Sequence, residues 1–218
     1  MAAQSKMRVA VLISGSGSNL QALIDASKAE NFPAEICLVI SNYADVYGLT
    51  RAKNAGIPTK TLSHKDYDSR RLFDEALHTA LKDHDIELIC LAGFMRLLTA
   101  EFVAQWPNKI LNIHPSLLPS FPGLHVHQRA IDAGVRFSGA TVHIVRAEMD
   151  DGPIIVQAAV PLQQDDTAEA LAKRILASEH VIYPKALEWM ASGKAKVMGE
   201  HVILDDTVQL PESVRHPS

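Results

Sequence analysis

Cysteine is scarce in this chain, with 2 in 218 residues. Cys37 and Cys90 each sit in a short apolar run (35–40 and 87–92), without the paired spacing of a disulfide framework or a structural zinc site. They read as buried strand thiols, because a free cysteine behaves as a small hydrophobe. Such sparing use fits a reducing compartment, the cytoplasm. An excess of positive charge is also missing. Lys plus Arg number 21 against 25 Asp plus Glu, a net charge of -4, whereas a protein that displaces counterions from nucleic acid needs the opposite balance. No apolar run approaches the ~20 residues that cross a bilayer. The polar start, residues 1–6, lacks the apolar stretch and small-residue cleavage site of a signal peptide. The expected partners are therefore small molecules, neither nucleic acid nor membrane. Charged residues make up 21% against 47% apolar, which excludes disorder as the main state.

What is present is alternation. Apolar runs alternate with helical patterns, which predicts an α/β fold on a largely parallel sheet. Strands are predicted at 8–13, 36–40, 88–91, 110–113, 141–145 and 154–160. Helices are predicted after Asn19, at 45–55, 70–82 and 127–133, and from Asp166 onward. The segment 116–124 carries Pro119, Pro122 and Gly123 and suits neither a helix nor an inner strand. Residues 148–153 read as the polar tip of a hairpin. Asp166 with Glu169 reads as a capping box, Pro184 should bend the helix that follows, and the tail 211–218 is expected to fray. A length of 218 fits one large domain or two fused halves, with a seam near residues 93–110.

Three constellations carry possible chemistry. Gly15-Ser-Gly-Ser-Asn19 follows a strand and opens a helix, so the amides of Gly17, Ser18 and Asn19 could face an anion. The dinucleotide fingerprint fails, because Leu20 stands at the third glycine position and the second strand ends in Ser41-Asn42 rather than an acid. A phosphomonoester fits better than NAD, and a plain strand–helix turn remains the alternative. Asn112 and His114 lie two apart at a strand end, so both leave the same face and could hold one oxyanion. Their plain reading is a turn cap and a structural histidine before Pro115. Asp150, in a turn, could hold His114 charged and relay a proton through water, or serve the turn alone. His125 and His127 are two apart but lack a third metal ligand at typical spacing, so no metal is expected. His64, His78 and His84 lie in polar stretches and read as solvated. His143 either lines the site or packs, and residues 95–98 could floor a slot for a flat ring.

In this order, Gly-Ser-Gly-Ser-Asn-Leu-Gln (15–21), Leu-Ala-Gly-Phe-Met-Arg (91–96), Asn-Ile-His-Pro-Ser-Leu-Leu-Pro (112–119), Phe-Pro-Gly-Leu-His (121–125) and the segment 139–153, ending Met-Asp-Asp-Gly-Pro, resemble one family. It is the phosphoribosylglycinamide formyltransferases, a branch of the folate-dependent formyltransferases, and the similarity spans about residues 7–205. The resemblance implies a doubly wound, mostly parallel sheet with helices on both faces and a Rossmann-like N-terminal half. It implies a single domain, 1–218, with a phosphate and ribonucleotide half (about 7–100) and a catalytic and folate half (about 101–205). It implies formyl transfer from 10-formyltetrahydrofolate, as co-substrate, to the amine of glycinamide ribonucleotide in purine biosynthesis, by a monomer or weak homodimer. The residues implied are Asn112, His114 and Asp150 for catalysis, and Gly17, Ser18, Asn19 and Glu179 for the ribonucleotide. Those implied for folate are Arg70, Met95, Arg96, Leu97, Leu98 and Asn112, with residues 146–150 along the pterin slot. Methionyl-tRNA formyltransferase and formyltetrahydrofolate hydrolase share the core, but each is expected to need a further domain for which 218 residues leave no room.

Overall fold

In the computed structural model, which describes residues 5–208, strand β1 (Met7–Ile13) sets the plan. Its side chains alternate between two cores, Val9, Val11 and Ile13 on one face and Ala10 and Leu12 on the other. A strand covered on both faces shows this pattern. With β2 (Ala34–Ser41), β3 (Thr59–Thr61), β4 (Leu88–Leu91), β5 (Ile110–His114), β6 (Phe137–Ile144) and β7 (Ile154–Pro161), it forms a seven-stranded sheet in the order β3-β2-β1-β4-β5-β6-β7. Strands β1 to β5 run parallel, while β6 and β7 are antiparallel to their neighbours.

Helices cover both faces. Leu20 and Leu23 of α1 (Ser18–Ser27), Leu49 of α2 (Tyr47–Asn54) and Leu171 and Ile175 of α6 (Ala168–Ser192) build one core. Phe73 and Leu77 of α3 (Arg70–Lys82) and Phe102 of α4 (Ala100–Gln105) build the other. Helix α5 (Val126–Asp132) leans on α6, and a hairpin of β8 (Ala195–Met198) and β9 (His201–Leu204) follows α6. Tyr183 of α6 is fully buried, and its hydroxyl donates to the carbonyl of Leu91 at 2.9 Å. A buried hydroxyl is costly without such a partner, so this bond fixes α6 beneath the ends of β4 and β5.

The predicted strands and helices fall within a few residues of these elements. Four short elements, β3, α4, β8 and β9, carry too few residues to show a period and have no counterpart in the sequence reading. The capping box at Asp166 and Glu169 is corrected: Thr167 caps α6, its hydroxyl accepting from the amide of Ala170 at 3.1 Å. Asp166 instead accepts from the Gln163 amide at 2.8 Å and pairs with Arg174 at 2.5 Å. Helix α6 runs through Pro184 to Ser192. The tail 211–218 lies outside the described residues.

Candidate active site

Ligands of open α/β sheets bind where adjacent parallel strands send the chain in opposite directions, at their carboxyl ends. Here that point lies between β1 and β4. The loop after β1 and the turn after β4 line a pocket of about 180 Å³ whose walls include Gly15, Gly17, Asn19, Gly93 and Met95. Ser14 ties the two together, its hydroxyl accepting from the Met95 amide at 2.8 Å and donating to Asn42 Oδ1 at 2.5 Å. Gly17 caps α1 in the left-handed region, with φ 71°, and a Cβ there would come within 2.7 Å of the Gly48 Cα. Only glycine fits both demands. The first turn of α1 carries no acid and no capping side chain, so its free amides favour an anion.

One wall of this loop is acidic. Asn19 Nδ2 donates to Glu179 Oε2 of α6 at 2.6 Å, and Glu179 is only 7% exposed. Burial pushes the Glu179 carboxyl up from its ordinary 4.5, partly offset by the Asn19 bond and the charge of His114.

The second cluster sits at the end of β5. Asn112 and His114 face His143 and Thr141 directly across the β5–β6 register. Asn112 Nδ2 lies 3.2 Å from His143 Nε2, and His143 Nδ1 lies 3.0 Å from the Ile144 carbonyl. A carbonyl only accepts, so Nδ1 carries the proton and Nε2 accepts from Asn112. Burial lowers the pKa of His143, against the opposing pull of Asp150, whose Oδ1 lies 3.9 Å from Nε2. His143 therefore orients the Asn112 amide and leaves the second Nδ2 proton free. His143→Phe should lower turnover about tenfold, because the amide loses its fixed direction, with the fold retained by circular dichroism.

Asp150 reaches the same place from the loop after β6. A Cβ on Gly152 would lie 1.7 Å from the Ile144 carbonyl oxygen, so only glycine lets the chain cross the strand end this closely. Asp150 Oδ2 accepts from the Gly123 amide at 2.9 Å and lies 3.5 Å from His114 Nδ1. His114 Nε2 donates to the Phe121 carbonyl at 3.1 Å. Both side chains are less than a tenth exposed. Behind them, Thr141 Oγ1 donates to the Ser116 carbonyl at 2.7 Å and accepts from the Leu118 amide at 3.0 Å, which anchors the proline-rich segment.

Of the positions expected for folate, Arg70 begins α3, and Arg96 and Leu98 reach the core beneath that helix. Met95 and Leu97 are exposed, and Leu98 packs on the second core. The Arg96 guanidinium lies 5.9 Å from the Phe73 ring centroid. Arg70 is exposed at the start of α3, and its charge partly offsets the rise in the Asp74 pKa. Asp74 is buried, which raises its pKa, and its Oδ2 accepts from the Thr99 amide at 2.7 Å.

The other histidines depart from a solvated reading. His64, His78 and His84 are half-buried: His64 Nδ1 meets Asn42 Nδ2 at 3.2 Å, His78 lies against the Trp106 ring, and His84 Nδ1 donates to the Ala80 carbonyl at 2.9 Å. Trp106 follows α4, an element the sequence reading lacked, so the cover over His78 had no local signal. His125 is exposed at the start of α5, while His127 is half-buried, and burial with the nearby His114 lowers its pKa. Among the described residues no group of three or more His, Cys, Asp or Glu is placed to hold a metal ion, and no helix is long and apolar enough to cross a membrane.

A glycine loop at the switch point of a doubly wound sheet, with an amide, an imidazole and a carboxylate gathered at the end of a middle strand, defines an open-sheet α/β protein. The formyl transferase family matches residues 7–187, and the chain belongs to it. Phosphoribosylglycinamide formyltransferase of Escherichia coli (strain K12) is 44% identical over 205 residues, covering 94% of this chain and 96% of that protein. The crystal structure of glycinamide ribonucleotide transformylase 1 from Symbiobacterium toebii superposes with a TM-score of 0.90 at 48% identity, covering 92% of this chain and 95% of that one. The trifunctional purine biosynthetic protein adenosine-3 of Gallus gallus is 53% identical over 193 residues, 88% of this chain but 19% of that protein. The chain thus spans about a fifth of the length of such trifunctional relatives. A formyltetrahydrofolate deformylase from Pseudomonas syringae, at 24% identity and a TM-score of 0.85, shares the fold.

Proposed function

We propose that this chain transfers the formyl group of 10-formyltetrahydrofolate to the amine of glycinamide ribonucleotide, giving formylglycinamide ribonucleotide and tetrahydrofolate in purine biosynthesis. The observation that carries this reading is the convergence of Asn112, His114 and Asp150 at the end of β5, in a chain similar along nearly its whole length to an enzyme of that name. Gly17, Ser18 and Asn19 hold the phosphate at the start of α1, and Glu179 accepts from a ribose hydroxyl. Arg70 and the strip Met95, Arg96, Leu97 and Leu98 hold the folate, with Asn112 where the two substrates meet. The neutral amine attacks the formyl carbon, and the carbonyl π pair moves onto oxygen. Asn112 Nδ2 and a protonated His114 stabilise that oxyanion, His114 exchanging the Phe121 carbonyl for the substrate oxygen. Collapse expels the folate N10, and the proton lost by the amine reaches N10 through water held at Asp150. The chain acts as a single catalytic unit in the cytoplasm, as a monomer or weak homodimer on small molecules, and needs no metal.

Steady-state kinetics test this. Loss of the formyl group from 10-formyltetrahydrofolate should require glycinamide ribonucleotide and saturate with it; loss at the same rate without the ribonucleotide would overturn the reading in favour of a hydrolase.

The raised pKa of Glu179 gives a separate expectation. A folded-state pKa above the unfolded one means that the folded form holds the proton more tightly. Stability therefore falls as pH rises from the ordinary 4.5 through the folded value, and the loss is complete above it. Glu179→Gln should raise the melting temperature at pH 8, with the gain shrinking toward pH 4.5, while a charge-assisted bond to the substrate is lost and KM for the ribonucleotide rises about tenfold. Thermal scans across pH beside steady-state kinetics check both halves.

A further inference from the structure

We infer that Arg146 is a positioning residue for Asp150, clamping the loop that carries it to the C-terminal hairpin and to the turn that enters β5. This rests on the catalytic reading of Asp150 given above. Arg146 lies in the loop after β6, and its guanidinium is shared among separate pieces of chain. Nη1 donates to Asn108 Oδ1 at 3.0 Å, while Nε and Nη2 donate to the Glu200 carboxylate at 3.2 and 3.4 Å. Nη2 also donates to the Gly199 carbonyl at 3.4 Å. Asn108 stands just before Ile110, where β5 begins, so the strand bearing Asn112 and His114 and the loop bearing Asp150 meet in one clamp. The Val145 amide closes the same corner by donating to the Ile110 carbonyl at 2.8 Å.

The stem of the side chain contributes too. A Cβ on Gly152 would come within 3.2 Å of Arg146 Cγ, so the stem lies over the far end of the Asp150 loop. The footing of the clamp is the turn between β8 and β9. That hairpin packs on the main core through Val197, Val202 and Leu204, and it follows the residues that the family matches, 7–187. The Glu200 side chain is 68% exposed, so the pair adds little stability. What it supplies is direction: a planar guanidinium fork holds its acceptors in fixed directions, whereas an ammonium is a rotating point charge on a flexible stem.

The test uses the full chain. Arg146→Met keeps the apolar stem and removes the fork. Turnover should fall about three- to tenfold, less than the hundredfold that an ångström of misplacement can cost. KM for the ribonucleotide should stay unchanged, and hydrogen exchange should quicken at the amides of residues 147–151. Glu200→Gln should give a smaller loss, and the double variant no more loss than Arg146→Met alone, since both act through one contact. Arg146→Lys should not restore turnover. Wild-type turnover and exchange in Arg146→Met would overturn the proposal, as would a lower melting temperature with the loop exchange unmoved. If the wild-type chain transfers no formyl group, the catalytic reading of Asp150 fails instead, and loop exchange in Arg146→Met still judges the clamp.

Discussion

Asn112→Ala and His114→Ala should each lower turnover about a hundredfold or more, the size of loss when one donor to a tetrahedral oxyanion is removed. Both side chains leave one face at the end of β5, and each is already directed by a neighbour: Asn112 by His143 Nε2 at 3.2 Å, His114 by Asp150 Oδ2 at 3.5 Å and the Phe121 carbonyl at 3.1 Å. Preorganisation of this kind makes such a donor effective, because the protein does not reorganise as charge develops. In the proposed mechanism the two residues act on one oxygen, so the double variant should lose far less than the product of the single losses. Turnover at saturating substrates, with folding checked by thermal melts, reads all three proteins. Near-normal turnover in either single variant would remove that residue from the role.

Asp150→Asn should be comparably severe, lowering turnover about a hundredfold to a thousandfold, while folate binding stays measurable. The substitution isolates charge from shape. The Gly123 amide donates to Asp150 Oδ2 at 2.9 Å, and an asparagine Oδ1 can accept that bond, so the loop keeps its anchor. What is lost is the negative charge beside the buried His114 and, in the proposed mechanism, the group that holds the relay water. The pH dependence of turnover should change with it; an unchanged profile at reduced rate would count against a role in charging His114.

Much of this site is local in sequence. Asn112 and His114 lie two apart before Pro115, which ends the strand, and Asp150 lies in a turn that needs Gly152. The glycine loop opens α1 directly after an apolar strand. The parts that stayed hidden depend on pairing at a distance. His143 is explained by the β5–β6 register, which sets it opposite Asn112, and no periodicity within β6 reports which strand it pairs with. Ser14, Asn42 and Met95 come from the ends of three different strands and meet through hydrogen bonds that no spacing announces. Asp166 and Thr167 are adjacent and both suit a helix start; the choice of Thr167 follows from Arg174, one face along α6, engaging Asp166. Arg146 opens the stretch that the resemblance sets along the pterin slot, but its bond to Glu200 depends on the hairpin at residues 195–204, far along the chain.

The fate of the formyl carbon tests the proposed activity most directly. With 10-formyltetrahydrofolate labelled at that carbon, incubated with glycinamide ribonucleotide and a catalytic amount of the chain, the label should appear on the ribonucleotide amine in step with tetrahydrofolate. Label released as formate at a rate indifferent to the ribonucleotide would contradict it.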